Sequence, residues 1–549
     1  MEKLGGVVSP QMHSFNLRGR LASCRWLWII SLIWALSPAG RGFGADATAP
    51  SPAPNPADPI LDLMLEKGLI TEGEAARVKA ESEAIRTNEM ARYDLSKWKI
   101  SDDKGIKSVE LFGDIRLRYE SRTVTDPSDG SITSQRYRYA VRIGLRGEVF
   151  DDFYYGFRLE TSQNPRSSFV TFGTSSGSGP FNKNESGSAA IEVGQVYLGW
   201  KPENWVDVTL GKMPNPIFTT TMVWSGSINP EGAAERFKYT VGEADFFATF
   251  GQFIYQDTSP QSSAPGYGYN WNSSYTPFLM AWQGGVNYHL TKKISLKVAP
   301  VIYNYTGSGV NLTGSTTSVT PGYNNTYVGQ GTTLTATGQK GGYYNYPAGG
   351  QPSYNGYAAN QTGINNLLVL EIPAELNIQL DQMSLRVFGD YAQNLQGGDR
   401  ATAAWEALQG SSSPYATSFI SPIASPQTHD ITAYQAGVAI GSKDCLGLVN
   451  GSVSSRHAWE FRTYWQHVEQ YALDPNLIDT DFFNAAENLQ GVYAAFAYGF
   501  ADNVIGTVRY GYATRINDKL GTGGSSPDIS AMNPINSYNI FQVDMTFRF

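Results

Sequence analysis

Arginine at alternate positions is the most chemically pointed pattern in this chain. Arg116 and Arg118, then Arg136, Arg138, Arg142 and Arg146, fall on even positions of two neighbouring stretches, with Arg158 in a third and Arg548 next to the end. A guanidinium stays charged at any working pH and offers several donors in a fixed fork, so a ladder of them can hold an anion or hand it along in steps. Glu110, Asp114, Glu120, Glu148 and Glu160 share the same parity. Two readings stand side by side: a basic wall that prefers anions, and a self-neutralised lattice that stiffens the surface carrying it.

The residues between the arginines say what that surface is. Leu111, Ile115, Leu117 and Tyr119 are odd-numbered, as are Tyr137, Tyr139, Val141, Ile143, Leu145 and Val149. Near the end, Phe541, Val543, Met545, Phe547 and Phe549 alternate with Gln542, Asp544, Thr546 and Arg548. Period two means extended strands with one apolar and one charged face. A soluble two-layer sheet alternates too, but its polar face seldom carries so much arginine. Lipid on one side and water on the other fits better. After residue 46 no apolar run is long enough to cross a bilayer as a helix.

About sixteen such stretches fit between residues 107 and 549, with fourteen or eighteen as the neighbouring counts. Connections alternate in length. Short ones fall at Asp151-Asp152, Pro202-Glu203, Gly242-Glu243, Asp381-Gln382 and Ala501-Asp502. Long ones fill 123–133, 164–188, 214–232, 258–277, 307–362, 396–428, 471–487 and 516–536. The predicted fold class is therefore all-β: a transmembrane antiparallel barrel over 105–549, with both termini at the end that bears the tight turns. The turn at 443–454 is longer than the others of its class. A barrel of this strand number leaves an aqueous lumen.

Composition agrees. Only 16% of residues are charged while 13% are aromatic, and Gly and Tyr reach 57 and 32, a balance that suits strands and polar loops rather than a helical enzyme. A net charge of -8 gives no sign of a nucleic-acid partner. Cys24 and Cys445 alone exclude a disulfide scaffold.

Ahead of the barrel, Arg18, Arg20 and Arg25 precede the apolar run Trp26 to Leu36, which reads as a secretory signal over 1–45. Residues 46–59 form a Pro/Ala-rich linker. Residues 60–104 read as a short helical periplasmic segment, with Thr71 and Glu74 as a capping box. This stretch is too short for the plug domain of an energy-coupled receptor.

Enzyme chemistry finds little support. His289, His429, His457 and His467 remain after the signal, and no G-x-S-x-G elbow, Walker loop, CxxC pair or HExxH accompanies them. His457 and His467 share one strand and lie roughly 30 Å apart, too far to share a metal from that strand. Asp474, Asp479 and Asp481 miss the EF-hand spacing. No catalytic residue, metal or cofactor is predicted.

The third long connection, 214–232, is the candidate constriction. It carries Pro214, Pro216 and Trp224, the prolines limit its conformations, and Glu231 and Glu235 can face the basic wall and set a transverse field. Loop 307–362, rich in Gly, Tyr, Asn and Thr, suits either sugar stacking or a cover for the mouth.

Four stretches carry a resemblance to a family: Leu65 to Thr71 (LEKGLIT), Gly211 to Pro216 (GKMPNP), Ile228 to Ala233 (INPEGA) and Asp474 to Phe482 (DPNLIDTDF). Over about 58–549 the chain resembles the Putative porin family of Gram-negative outer membranes. The resemblance implies an outer-membrane β-barrel, a passive route for small hydrophilic solutes or ions, and a homotrimer. Phe547 and Phe549 close a last strand that looks like the C-terminal signal read by the barrel assembly machinery. The alternative is a barrel used as a surface adhesin or structural anchor, motivated by the long Tyr/Asn-rich loops; a soluble exported β-protein comes third.

Overall fold

The structure is a computed structural model, and it describes residues 67, 97–98, 107–127, 129–150, 152–162, 167–173, 190–255, 278–306, 366–402, 425–452, 455–522 and 534–549. The chain divides into two compact units, Met1–Asn88 and Glu89–Phe549. The architecture that follows is that of the second. The export signal (1–45), the linker (46–59), nearly all of the helical segment 60–104 and the loop 307–362 lie outside the described residues. Within 60–104, Lys97–Trp98 pairs with Glu110 and Val109, so those two residues are strand, not helix.

Sixteen antiparallel strands close into one barrel. They are β1 (Val109–Thr125), β2 (Ser131–Phe150), β3 (Phe153–Ser162), β4 (Ala190–Glu203), β5 (Val206–Lys212), β6 (Glu231–Val241), β7 (Ala244–Ile254) and β8 (Phe278–Thr291). The second half holds β9 (Ile294–Val298 and Val301–Tyr305), β10 (Leu368–Gln379), β11 (Met383–Asn394), β12 (Thr432–Ser442), β13 (Trp459–Val468), β14 (Leu489–Ala501), β15 (Val504–Arg515) and β16 (Ser537–Arg548). β9 is broken at Ala299-Pro300 because proline has no N–H to give the ladder. Val170–Thr171 adds two residues beside β2 beyond the end of β3. Strand β16 pairs with β1 from Asp114↔Arg548 to Thr125↔Ser537, which removes the last open edge.

Alternation places the side chains as the sequence predicts. Leu111, Ile115, Leu117, Ile143, Leu145, Val543, Met545 and Phe547 stand exposed on the outer face, while Arg118, Glu120 and Asp544 are buried on the inner one. Trp200, Trp205, Tyr239, Tyr288 and Phe500 ring the end with the tight turns; Tyr391, Tyr434, Trp465 and Tyr512 ring the end with the long loops. Apolar bands flanked by aromatic girdles mark a surface made for lipid. Among the described residues no helix is long and apolar enough to cross a membrane, so the strands do the crossing.

Two connections depart from the predicted lengths. The first, expected at 123–133, shrinks to 126–130, because β1 and β2 run further than predicted and Asp126 closes the turn by accepting from Gly130 N at 2.8 Å. The turn between β12 and β13 spans 443–458 and contains a single 3-10 turn, Leu448–Asn450, with Leu448 and Val449 buried.

Candidate functional site

Among the described residues three inserted segments, together with Ser167, Phe169 and the inner wall, bound one cavity of about 580 Å³. Two come from the loop end, 213–230 between β5 and β6 and 469–488 between β13 and β14. The third is the turn after β12, entering from the opposite end.

The wall made by β16, β1 and β2 follows from register. Arg118 stands across from Arg138 on one side and Asp544 on the other; Glu120 lies between Arg136 and Gln542; Asp114 lies between Arg142 and Arg548. Arg118 grips Asp544 in a two-toothed pair, Nε to Oδ1 at 2.7 Å and Nη2 to Oδ2 at 2.9 Å. Its Nη1 reaches Asp481 at 3.0 Å, and its guanidinium lies 3.9 Å over the Phe169 ring. Arg136 bonds Glu120. Arg138 is buried and donates to Phe169 O at 3.1 Å. Arg116 and Arg142 share Asp114 at 2.7 and 2.8 Å. Arg146 pairs with Glu110 and Arg158 with Glu160, each at 2.8 Å. Arg548 bonds the carbonyl of Gly451. All eight predicted arginines therefore have a partner, most of them a carboxylate. Of the eight, Arg116, Arg118, Arg142 and Arg548 line the cavity.

Sequence reading missed Arg122 and Arg509, and weighed Asp481 only as a metal ligand. Arg122 is fully buried and donates to Thr480 O at 2.8 Å, Asn484 Oδ1 at 3.1 Å and Glu120 at 2.9 Å. It thereby pins segment 469–488 to β1. Tyr538 adds an O–H bond to Asp481 O at 2.8 Å. Burial would raise the Asp481 carboxyl, but the guanidiniums of Arg118 and Arg122 hold it below its usual value. Burial and then the Asp481 charge push its neighbour Asp479 up to about 7. Phe482 packs on Tyr493 and Tyr464 with centroids 5.3 and 5.9 Å apart. Asp474 turns elsewhere, accepting from Tyr255 at 3.0 Å, so the three aspartates do not converge. Among the described residues no group of His, Cys, Asp and Glu could hold a metal ion.

Segment 213–230 is anchored on the opposite wall. Gln283 of β8 clamps Phe218 from both sides, accepting from its N–H at 2.8 Å and donating to its carbonyl at 2.7 Å. Glu371 of β10 accepts from Thr219 at 2.6 Å and Tyr303 at 2.7 Å, and Asp390 of β11 accepts from the Thr220 hydroxyl. Trp224 is buried between Phe253 and Tyr303 and donates to Ile228 O at 3.1 Å. Ser225 N donates to Leu477 O at 2.7 Å, and Asp479 N to Thr221 O at 3.2 Å, so the two inserted segments touch across the lumen. Pro214 is exposed and Pro216 half-buried at the start of the segment.

The structure corrects the placement of two glutamates. Glu231 and Glu235 belong to β6, not to the loop, and share parity with Phe237, Tyr239 and Val241 on the outer face, while Ala234 between them points in. Glu231 pairs with Lys212 at 3.0 Å and Glu235 accepts from Gln252 at 2.8 Å. Starting the strand at residue 231 rather than 233 explains the error at Glu231; Glu235 lies past the predicted loop, and its parity with Phe237 and Tyr239 sends it outward.

The chain belongs to the family described as "Putative porin", whose pattern matches residues 125–549. It is a porin-like channel of the outer membrane and not an enzyme. No curated protein matches it. Solved structures with similarity include the anion-selective porin from Comamonas acidovorans, 10% identical, covering 80% of this chain and 99% of that one, TM-score 0.38. OmpF of Salmonella typhi, solved with daunomycin, is 9% identical with coverages of 82% and 100% and a TM-score of 0.39. The outer-membrane channel DcaP of Acinetobacter baumannii is 11% identical with coverages of 83% and 100% and a TM-score of 0.36. The selectivity named for the first is a property of that protein.

Proposed function

We propose that the chain is a passive diffusion pore for small hydrophilic solutes or ions, with a preference for anions, and that its long loops face outside while its tight turns and N-terminal segment face the periplasm. The observation that carries the preference is the charge around the cavity. Seven arginines line it (116, 118, 142, 386, 462, 509 and 548) against Glu375, Asp479 and Asp481. Asp114, Glu120, Glu460 and Asp544 stand behind their arginine partners and offset four of those charges. Seven cations meet seven carboxylates, and Asp479, raised to about 7, tips the balance to positive below that pH. In a narrow low-dielectric passage even a small excess of fixed charge favours the opposite ion.

The constriction in this reading is built from both 213–230 and 469–488. Buried pairing, not loose charge, holds the second segment, so the self-neutralised lattice and the basic wall are two aspects of one surface. Assembly as a homotrimer, and recognition of Phe547 and Phe549 by the assembly machinery, complete the proposal. The terminal residue is suited to that role, since Phe549 and Gly113 exchange backbone bonds at 2.9 and 3.2 Å and leave the ring exposed.

Planar-bilayer conductance of the detergent-purified chain under a salt gradient tests the reading. Discrete steps with an anion-selective reversal potential are expected. Steps without selectivity refute the preference; silence from folded, inserted protein favours the surface-binding alternative.

A further inference from the structure

We propose that the turn after β12, centred on residues 447–451, is a second restriction of the pore, set at the end opposite the long loops and bordered by a subsite for small anions. The proposal rests on the pore reading and adds a filter to it. The other six connections at this end are two- or three-residue turns; this one runs from 443 to 458 and its tip lines the central cavity.

Its position is fixed from several strands. Glu460 of β13, fully buried, accepts from Gly447 N at 2.8 Å and Val449 N at 2.9 Å. Arg509 of β15 donates to Val449 O at 2.7 Å, and Arg548 of β16 to Gly451 O. Leu448 and Val449 are buried, so apolar burial reinforces these bonds. Gly447 and Gly451 have φ of 121° and 78°, where a side chain would strain the backbone. At Gly451 a Cβ would also lie 3.2 Å from Arg116 Nη2, which shows how closely the turn backbone lies against that guanidinium. Asn450 is the exposed residue at the tip, its Oδ1 accepting from Arg462 at 3.4 Å. A turn whose backbone is held by side chains of three strands is a fixed obstacle.

The chemistry of the gap comes from the adjoining wall. Asp114 stands in register between Arg142 and Arg548, with Arg116 two residues further along its own strand. Three guanidiniums thus surround one carboxylate, and Arg548 spends a donor on a neutral carbonyl, which leaves its charge in place. Such a site takes a small anion such as chloride or inorganic phosphate.

The test uses the full chain in planar bilayers, with Asn450→Cys placed in a background that carries both Cys24→Ser and Cys445→Ser. A negatively charged thiol-reactive methanethiosulfonate added from the turn side is expected to lower single-channel conductance by roughly a third or more, because it fills a restriction. In parallel, Asp114→Asn is expected to raise the chloride-to-potassium permeability ratio about twofold. If mass-verified modification leaves conductance unchanged, the turn is no restriction; an unchanged ratio in Asp114→Asn removes the anion subsite. A wild-type chain that never conducts overturns the pore reading and this proposal with it, an outcome distinct from a conducting but insensitive variant.

Discussion

The wall of β16, β1 and β2 and the wall of β8, β10 and β11 lie about half a turn apart around the sixteen-strand ring, and they hold the inserted segments by different means. On the first, charge meets charge: Arg118 and Arg122 draw Asp481 down from segment 469–488. On the second, Gln283, Glu371 and Asp390 take hydroxyls and a backbone amide of segment 213–230, with no salt bridge among the bonds described. Charge lattices buried this deeply tolerate no missing partner, whereas neutral bonds give way one at a time.

The comparison is broken most severely on the charged wall. Arg118→Ala leaves Asp544 and Asp481 facing each other without their shared cation, and a loss of about 3–5 kcal/mol is expected. Urea unfolding of the detergent-solubilised barrel, followed by its heat-modifiable gel mobility, checks this. A loss under about 1 kcal/mol would mean that the lattice is not a unit.

On the opposite wall the effect should be smaller and should appear in conduction first. Glu371→Ala strands the buried Tyr303 hydroxyl and frees Thr219, at a cost of about 1–3 kcal/mol. Single-channel traces should become noisier or larger as segment 213–230 loosens. Glu371→Gln, which keeps an acceptor oxygen, should restore much of the quiet behaviour. Equal noise in both variants would show that hydrogen bonding there does not position the segment.

The smallest expected change is with pH. A carboxyl raised to about 7 is neutral below that pH and ionised above it, so Asp479 adds a negative charge to the lumen as pH rises through about 7. Anion preference should fall by roughly twofold or less across that range, and Asp479→Asn should flatten the dependence. A dependence that survives in Asp479→Asn must come from another group.

Much of this was legible in the chain. Strict alternation over about 107–122, 134–149 and 537–549 gave strand, face and the closing pair, because a strand sends successive side chains to opposite sides whatever the fold around it. Alternating connection lengths supplied the count of sixteen. The eight arginines were found on the correct face for the same reason. Arg122 was passed over, although it continues the parity of Arg118, because it lies where the sequence suggests the strand is ending. Asp481 stands in the DPNLIDTDF stretch, but nothing local says that it pairs with arginines of the first strand, and the long turn at 443–454 looked like a blemish in the count.

What the sequence determined by itself is the barrel: its strands, the inward charge, the outward apolar band and an aqueous interior. Tertiary structure alone decided which connections enter that interior and which charges meet there. Arg118 and Asp544 are separated by 426 positions, and Arg118 and Asp481 by 363. Period two reports only the face on which a side chain stands. Its partner is set by barrel closure, by register and by the return of a loop into the lumen, and these are properties of the whole chain.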